Sequence, residues 1–95
     1  MTYSLKFDKR ALKEWHKLAT PIREQLKKKL AERLENPHVP ASRLSGRPNR
    51  YKIKLRSSGY RLVYEVNENE IVLLVIAVGK RAGDEVYITA DRREN

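Results

Sequence analysis

Apolar and polar positions alternate along this chain in two rhythms, and the switches between them predict its elements. Tyr3, Leu5 and Phe7 alternate with Ser4 and Lys6, the period-two pattern of a short, half-buried strand. Asp8 follows where a helix N-cap belongs. Ala11, Leu12, Trp15 and Leu18 then recur at spacings of three and four, which predicts an amphipathic helix over residues 9–18. Thr20-Pro21 opens a second helix, with Thr20 as N-cap and Pro21 at the first helical position. Ile22, Leu26, Leu30 and Leu34 form its apolar stripe, and Asn36-Pro37 ends it. The short joint between the two helices predicts a helical hairpin.

From residue 37 to residue 50 the chain holds prolines and Gly46 and reads as a basic loop. Tyr51 to Leu55 and Tyr60 to Val66 return to period two, with a turn at Ser57-Ser58-Gly59. After a second turn at residues 67–70, Ile71 to Val78 is apolar at every position, as expected of a strand covered on both faces and central in its sheet. Residues 84–95 are largely polar, with Val86, Tyr87 and Ile88 as the apolar stretch, and fit a short strand, a helix or a disordered tail. The expected fold is α+β: one domain over residues 1–95, a βααβββ order plus a short C-terminal element, and the helical hairpin on one face of a mostly antiparallel sheet.

Composition narrows the chemistry. Ninety-five residues bury only roughly 60–65% of their unfolded surface, so the core is modest. No cysteine is present, which excludes disulfides, thiolate metal sites and a Cys nucleophile, and fits a reducing cytoplasm. The first residues lack the apolar core of a signal peptide, and the apolar run at 71–78 is too short to span a bilayer. The net charge is +9, which points to a polyanionic partner. That charge is concentrated: Arg43, Arg47, Arg50, Lys52, Lys54, Arg56 and Arg61 all fall between Asn36 and Tyr64, where no acidic residue occurs.

Strand alternation then sorts the hairpin. Tyr51, Ile53 and Leu55 share one face, and Lys52, Lys54 and Arg56 share the other. If Tyr60, Leu62 and Tyr64 join the core face, Arg61 joins the lysines, opposite Lys54 in one register and Arg56 in the other. Only Glu65 stands near to offset four cations. Side chains two apart on a strand stand about 7 Å apart, so neighbouring charges repel by roughly 2.4 kcal/mol at an effective dielectric of 20 and about 0.6 kcal/mol in water. Such a row eases removal of a proton from one lysine, and a nearby RNA phosphate opposes it. The row reads either as a solvated sheet edge or as a nucleic-acid site, and the acid-free block favours the second.

Other candidates are weaker. His16 and His38 are lone histidines without metal-ligand spacing, and no HExxH, carboxylate pair or Gly-rich phosphate loop occurs. Trp15, Tyr51, Tyr60 and Tyr64 read as core. Tyr87, in the polar tail, reads as packing or as a stacking platform for a base. An RNA-cleaving enzyme built from Lys, Arg and Tyr would use the substrate's own 2′-OH. It would orient that hydroxyl and stabilise the phosphate well, and move protons poorly.

The segments KFDKRALKEWHKL, PIREQLKKKL, YKIKLRSSGYRLVYEV and VIAVGKR with a following EVY resemble the RelE family of bacterial toxin–antitoxin toxins, in order and over nearly the whole chain. The hairpin and the GKR…EVY segment are the specific parts. The resemblance implies a compact microbial-ribonuclease-type fold and metal-free, cofactor-free cleavage of mRNA in the ribosomal A site through 2′-OH attack, which inhibits translation. It also implies a RelB-like antitoxin, operator DNA met only as the toxin–antitoxin complex, and no membrane. The active positions carried over are Lys52 and Lys54 beside the 2′-OH, Arg61 on the phosphate, Arg81 at the leaving 5′-oxygen and Tyr87 on a base. Arg43, Arg47, Arg50, Arg56 and Lys80 are expected to hold RNA or the ribosome. Relatives place an arginine where this chain has Ser45, which Arg43 and Arg47 flank. Two alternatives remain: a gyrase-poisoning toxin of the ParE type, and a plain RNA-binding module.

Overall fold

The computed structural model describes residues 2–46, 48–80 and 85–93, the side chains of residues 85–87 excepted. Strand β1 (Ser4–Phe7) leads into helix α1 (Lys9–His16) and helix α2 (Thr20–Glu35). A single 3-10 turn (Pro40–Ser42) precedes the meander of β2 (Arg50–Lys54), β3 (Tyr60–Asn67) and β4 (Val72–Lys80), and helix α3 (Glu85–Arg92) follows. The sheet order is β1-β4-β3-β2, with β1 parallel to β4 and the other pairs antiparallel. The α+β architecture, the antiparallel meander and the central place of β4 are as the sequence predicts.

Local chemistry explains the helix starts. The Asp8 carboxylate accepts from the backbone N–H of Arg10 and Ala11, as an N-cap should. The second helix departs from expectation: it begins a residue early, with Ala19 as N-cap and no side-chain cap. The Ala19 carbonyl already accepts from Arg23 N, and Pro21 sits harmlessly in the first turn, where its missing N–H has no helical partner to lose. The Arg23 guanidinium reaches back to the His16 and Leu18 carbonyls at 3.4 and 3.3 Å, which closes the joint between the helices.

The main core lies between these two helices and the sheet. Ala11, Trp15, Leu18, Leu26 and Leu30 pack on Ile53, Leu62, Tyr64, Leu73 and Val75, with Ile22 and Leu34 partly buried beside them. Two expected core positions are instead 39% exposed: Leu12, a residue past the Ala11–Trp15 line, and Leu5, on the outermost strand. A second, smaller cluster of Val63, Ile76, Ala77 and Ala90 lies on the opposite face. The tail is therefore a helix, and it covers the face that α1 and α2 leave open. A bulge helps: Val63 pairs with Ala77 and Tyr64 with Val75, so Ile76 is extra and joins Ala77 in the second cluster. Ile71, expected to begin the last strand, belongs to the turn at φ 56°, a strained conformation for a β-branched residue.

Polar side chains complete the backbone. β1 stops pairing at Val75, so the edge of β4 beyond it is unpaired by strand. Glu14 accepts from Val78 N at 3.1 Å, and Arg93 donates to the Ile76 carbonyl at 2.8 Å and to both Glu14 oxygens. On the other edge, Arg33 of α2 donates to the Lys52 carbonyl (3.3 Å), the Tyr64 hydroxyl (2.9 Å) and Ser42 Oγ (3.2 Å). Tyr64 in turn donates to the Pro37 carbonyl at 2.6 Å, and burial pushes its phenol up from its ordinary pKa. His38 bridges the Tyr51 hydroxyl and the Glu68 carboxylate, which also accepts from Tyr3.

The His38 and Tyr3 hydrogen bonds hold the Glu68 carboxyl below its ordinary pKa. Folded Glu68 thus binds a proton less readily than unfolded Glu68, so its contribution is complete above the unfolded value, roughly 4.3, and is lost as pH falls through the lower folded value. Glu68→Gln is expected to flatten the acid limb of the urea midpoint plotted against pH. An acid limb identical to that of the wild type would show that this carboxylate is not linked to folding.

Candidate active site

The β2–β3 hairpin builds the site through its register. Tyr51 faces Tyr64 and Ile53 faces Leu62 on the core side, and these four side chains are buried. The same register sets Lys54 opposite Arg61 and Lys52 opposite Val63 on the other side. Directly opposed side chains in an antiparallel pair stand about 5 Å apart at Cβ, so Lys54 and Arg61 present adjacent cations. Of the two registers open to the sequence, this is the one formed. Beyond Arg61 the next strand offers Gly79, so no side chain on β4 screens that flank.

Only part of this face is open. Arg50, expected to hold RNA, is 3% exposed. Its Nε donates to Glu65 and its Nη1 to Asp91 of α3, both at 3.1 Å. A guanidinium enclosed by two carboxylates beneath a helix is unavailable to a phosphate; Arg50 anchors α3 instead. The C-terminal helix therefore shields and neutralises the Arg50 end of the row, while Lys54 at the other end is exposed.

The other expected site residues separate by place. Lys52 is half-buried, and its carbonyl is fixed by Arg33. Lys54 is exposed, and Arg56, in the turn after β2, is also exposed. Arg43 lies outside β2, its backbone bridged to Tyr51. Lys80 pairs with Tyr60 and so lies on the face opposite Lys54 and Arg61, its ammonium 5.9 Å from the Tyr60 ring centre. Tyr87 belongs to α3, one helical turn before Asp91, and its side chain is outside the described residues, as are Arg47 and Arg81. Among the described residues no three His, Asp or Glu side chains gather as metal ligands. Three positioning residues, Arg33, Glu14 and Arg93, escaped the sequence reading. Arg33, three after Leu30 and seven after Leu26, marks its role by sitting beside the apolar stripe; the Glu14–Arg93 bridge leaves no local signal.

The pattern of the ParE toxin of type II toxin–antitoxin systems matches residues 5–85 of this chain. The mRNA interferase toxin RelE of Escherichia coli K12 is 60% identical over 93 residues, 98% of each chain. The chain belongs to the RelE/ParE toxin family. A variant of Escherichia coli RelE in the free state superposes on this RelE-family chain with a TM-score of 0.92 at 58% identity, covering all of both chains. RelE in the intact Escherichia coli RelBE toxin–antitoxin complex matches with a TM-score of 0.82 at 60% identity, over 85% of this chain and 99% of that one.

The two roles of the basic residues separate experimentally. Arg50→Ala removes the ion pairs to Glu65 and Asp91; because both carboxylates are partly solvated, the expected loss of stability is about 1–3 kcal/mol. Lys54→Ala, at an exposed position, is expected to change stability by under about 0.5 kcal/mol. Urea unfolding of both variants checks this, and equal losses would refute the division.

Proposed function

We propose that this chain is the toxin of a type II toxin–antitoxin pair and an mRNA interferase that cleaves mRNA in the ribosomal A site. The observation that carries the reading is the cross-strand pairing of Lys54 with Arg61, in a chain 60% identical to an mRNA interferase toxin. In this reading the substrate 2′-oxygen bonds to phosphorus while the bond to the 5′-oxygen breaks. A cyclic phosphate and a 5′-hydroxyl remain. Lys52 and Lys54 act on the nucleophilic hydroxyl and Arg61 holds the phosphate as its charge develops. Arg81 serves the departing oxygen, and Tyr87 stacks on a base. The ribosome supplies in-line placement that a small basic surface cannot impose on free RNA. A RelB-like antitoxin silences the toxin, and the site of action is cytoplasmic. Among the described residues no helix is long and apolar enough to cross a membrane.

The family description itself favours a second reading, a ParE-type toxin that acts on gyrase without cleaving RNA. The two part on one experiment. Purified toxin is added to programmed ribosomes and mRNA 3′ ends are mapped. Codon-phased cuts are expected, with Lys54→Ala and Arg61→Ala each slowing single-turnover cleavage by about 10²–10³-fold. Absence of cuts, together with DNA damage in cells and undiminished toxicity of Lys54→Ala, would establish the gyrase reading instead.

A further inference from the structure

Strand β2 is the outermost of the sheet and pairs as a strand with β3 alone. Leu55 N donates to the Tyr60 carbonyl at 2.9 Å, and in an antiparallel pair such bonds fall on every second residue. The carbonyls of Arg50 and Lys52 therefore point to the outer side. There Leu44 N donates to the first at 2.9 Å, and Arg33 of α2 donates to the second at 3.3 Å. We propose that Arg33 is a positioning residue for RNA cleavage: its guanidinium sets Lys52 in place by gripping the carbonyl of that residue. The inference rests on the ribonuclease reading, which puts Lys52 beside the 2′-hydroxyl.

The guanidinium is itself built in. Its Nη1 donates to the Lys52 carbonyl and to the Tyr64 hydroxyl, and its Nη2 donates to Ser42 Oγ. The Tyr64 hydroxyl gives its own proton to the Pro37 carbonyl at 2.6 Å, so it meets Arg33 as an acceptor. The Tyr64 ring is buried and stacked on Tyr51, with ring centres 5.5 Å apart. The grip on Lys52 is thus referred to the core and to the 3-10 turn at once. A planar fork can serve three acceptors from different elements; an ammonium in its place keeps the charge and loses that geometry. Placement matters because in-line attack tolerates little error: a shift of about 1 Å can slow a reaction by about 10²-fold. A residue held by its main chain carries its side chain from a fixed origin, whatever contacts the side chain itself makes.

The test is single-turnover cleavage on programmed ribosomes at rising toxin concentration, which yields a maximal rate and a half-saturating concentration. Arg33→Met keeps the aliphatic stem and removes the fork. It is expected to lower the maximal rate about ten-fold and to leave half-saturation within about two-fold. A mere loss of folded toxin gives the reverse pattern, a higher half-saturating concentration at an unchanged maximal rate, and that result overturns the role. Arg33→Lys is expected to recover only part of the rate; full recovery would mean that charge alone acts, and also overturns it. The carbonyl carbon resonance of Lys52 in free toxin is the local check. It is expected to move in Arg33→Met while that of Leu73 on β4 stays, and an unmoved Lys52 resonance refutes the grip. Wild-type toxin that cuts nothing overturns the ribonuclease reading and the role of Arg33 with it, whereas a cutting wild type with an equally fast Arg33→Met overturns the role alone.

Discussion

Strict alternation along β2 and β3 is the constraint on which the rest of this molecule depends. A small domain needs Tyr51, Ile53, Leu62 and Tyr64 in its main core, and all four are buried. Each of them forces its neighbour to the opposite face, so Lys52, Lys54 and Arg61 emerge together as a consequence of core packing. A slip of one residue would drive lysines into the core and four large apolar side chains out of it. At roughly 1.5–3 kcal/mol for each such side chain, burial outweighs the repulsion among partly solvated cations. The charge row is held by the hydrophobic effect, and a ligand that relieves the repulsion meets a site already formed.

The second face shows how the fold disposes of charge that it does not leave open. Glu65 is the neighbour that alternation supplies to Arg50; Asp91 arrives from the far end of the chain. Together they turn one end of the basic row into the seat of α3. The helix is fixed at its other side by Arg93, through Glu14 and the Ile76 carbonyl. Among the described residues its contacts are ionic at both edges and apolar at a small centre around Ala90. A helix so held takes its position from the same cations whose remainder it leaves exposed.

That balance also explains what was legible in the sequence. The strands, the odd–even register and the gathering of Arg61 with the lysines could be read because alternation and turn residues are local signals. The seating of Asp8 as a cap was legible for the same reason. The tail was not, because its few apolar residues give no decisive period and its stability comes from partners far along the chain. Arg50 was misread as an RNA contact on equal grounds: nothing near it in sequence announces Asp91. Lys80 was grouped with the site by its neighbours in GKR, yet pairing with Tyr60 puts it on the other face. Ile71 looked like strand because it is apolar, while the turn needed its backbone at a positive φ.

Arg33 joins these levels. An edge strand exposes carbonyls that water or a side chain must satisfy. The carbonyl of Lys52 is taken by a guanidinium on α2, which also holds Tyr64 and Ser42. The backbone of the proposed catalytic strand is therefore fixed from the core side, independently of its own lysine side chains. The carbonyl that the edge leaves open is thus satisfied without drawing on the Lys54 ammonium, which is exposed on the opposite face. A site built this way separates the groups that hold the strand from the groups that meet the substrate, which lets one five-residue strand serve both the core and the surface.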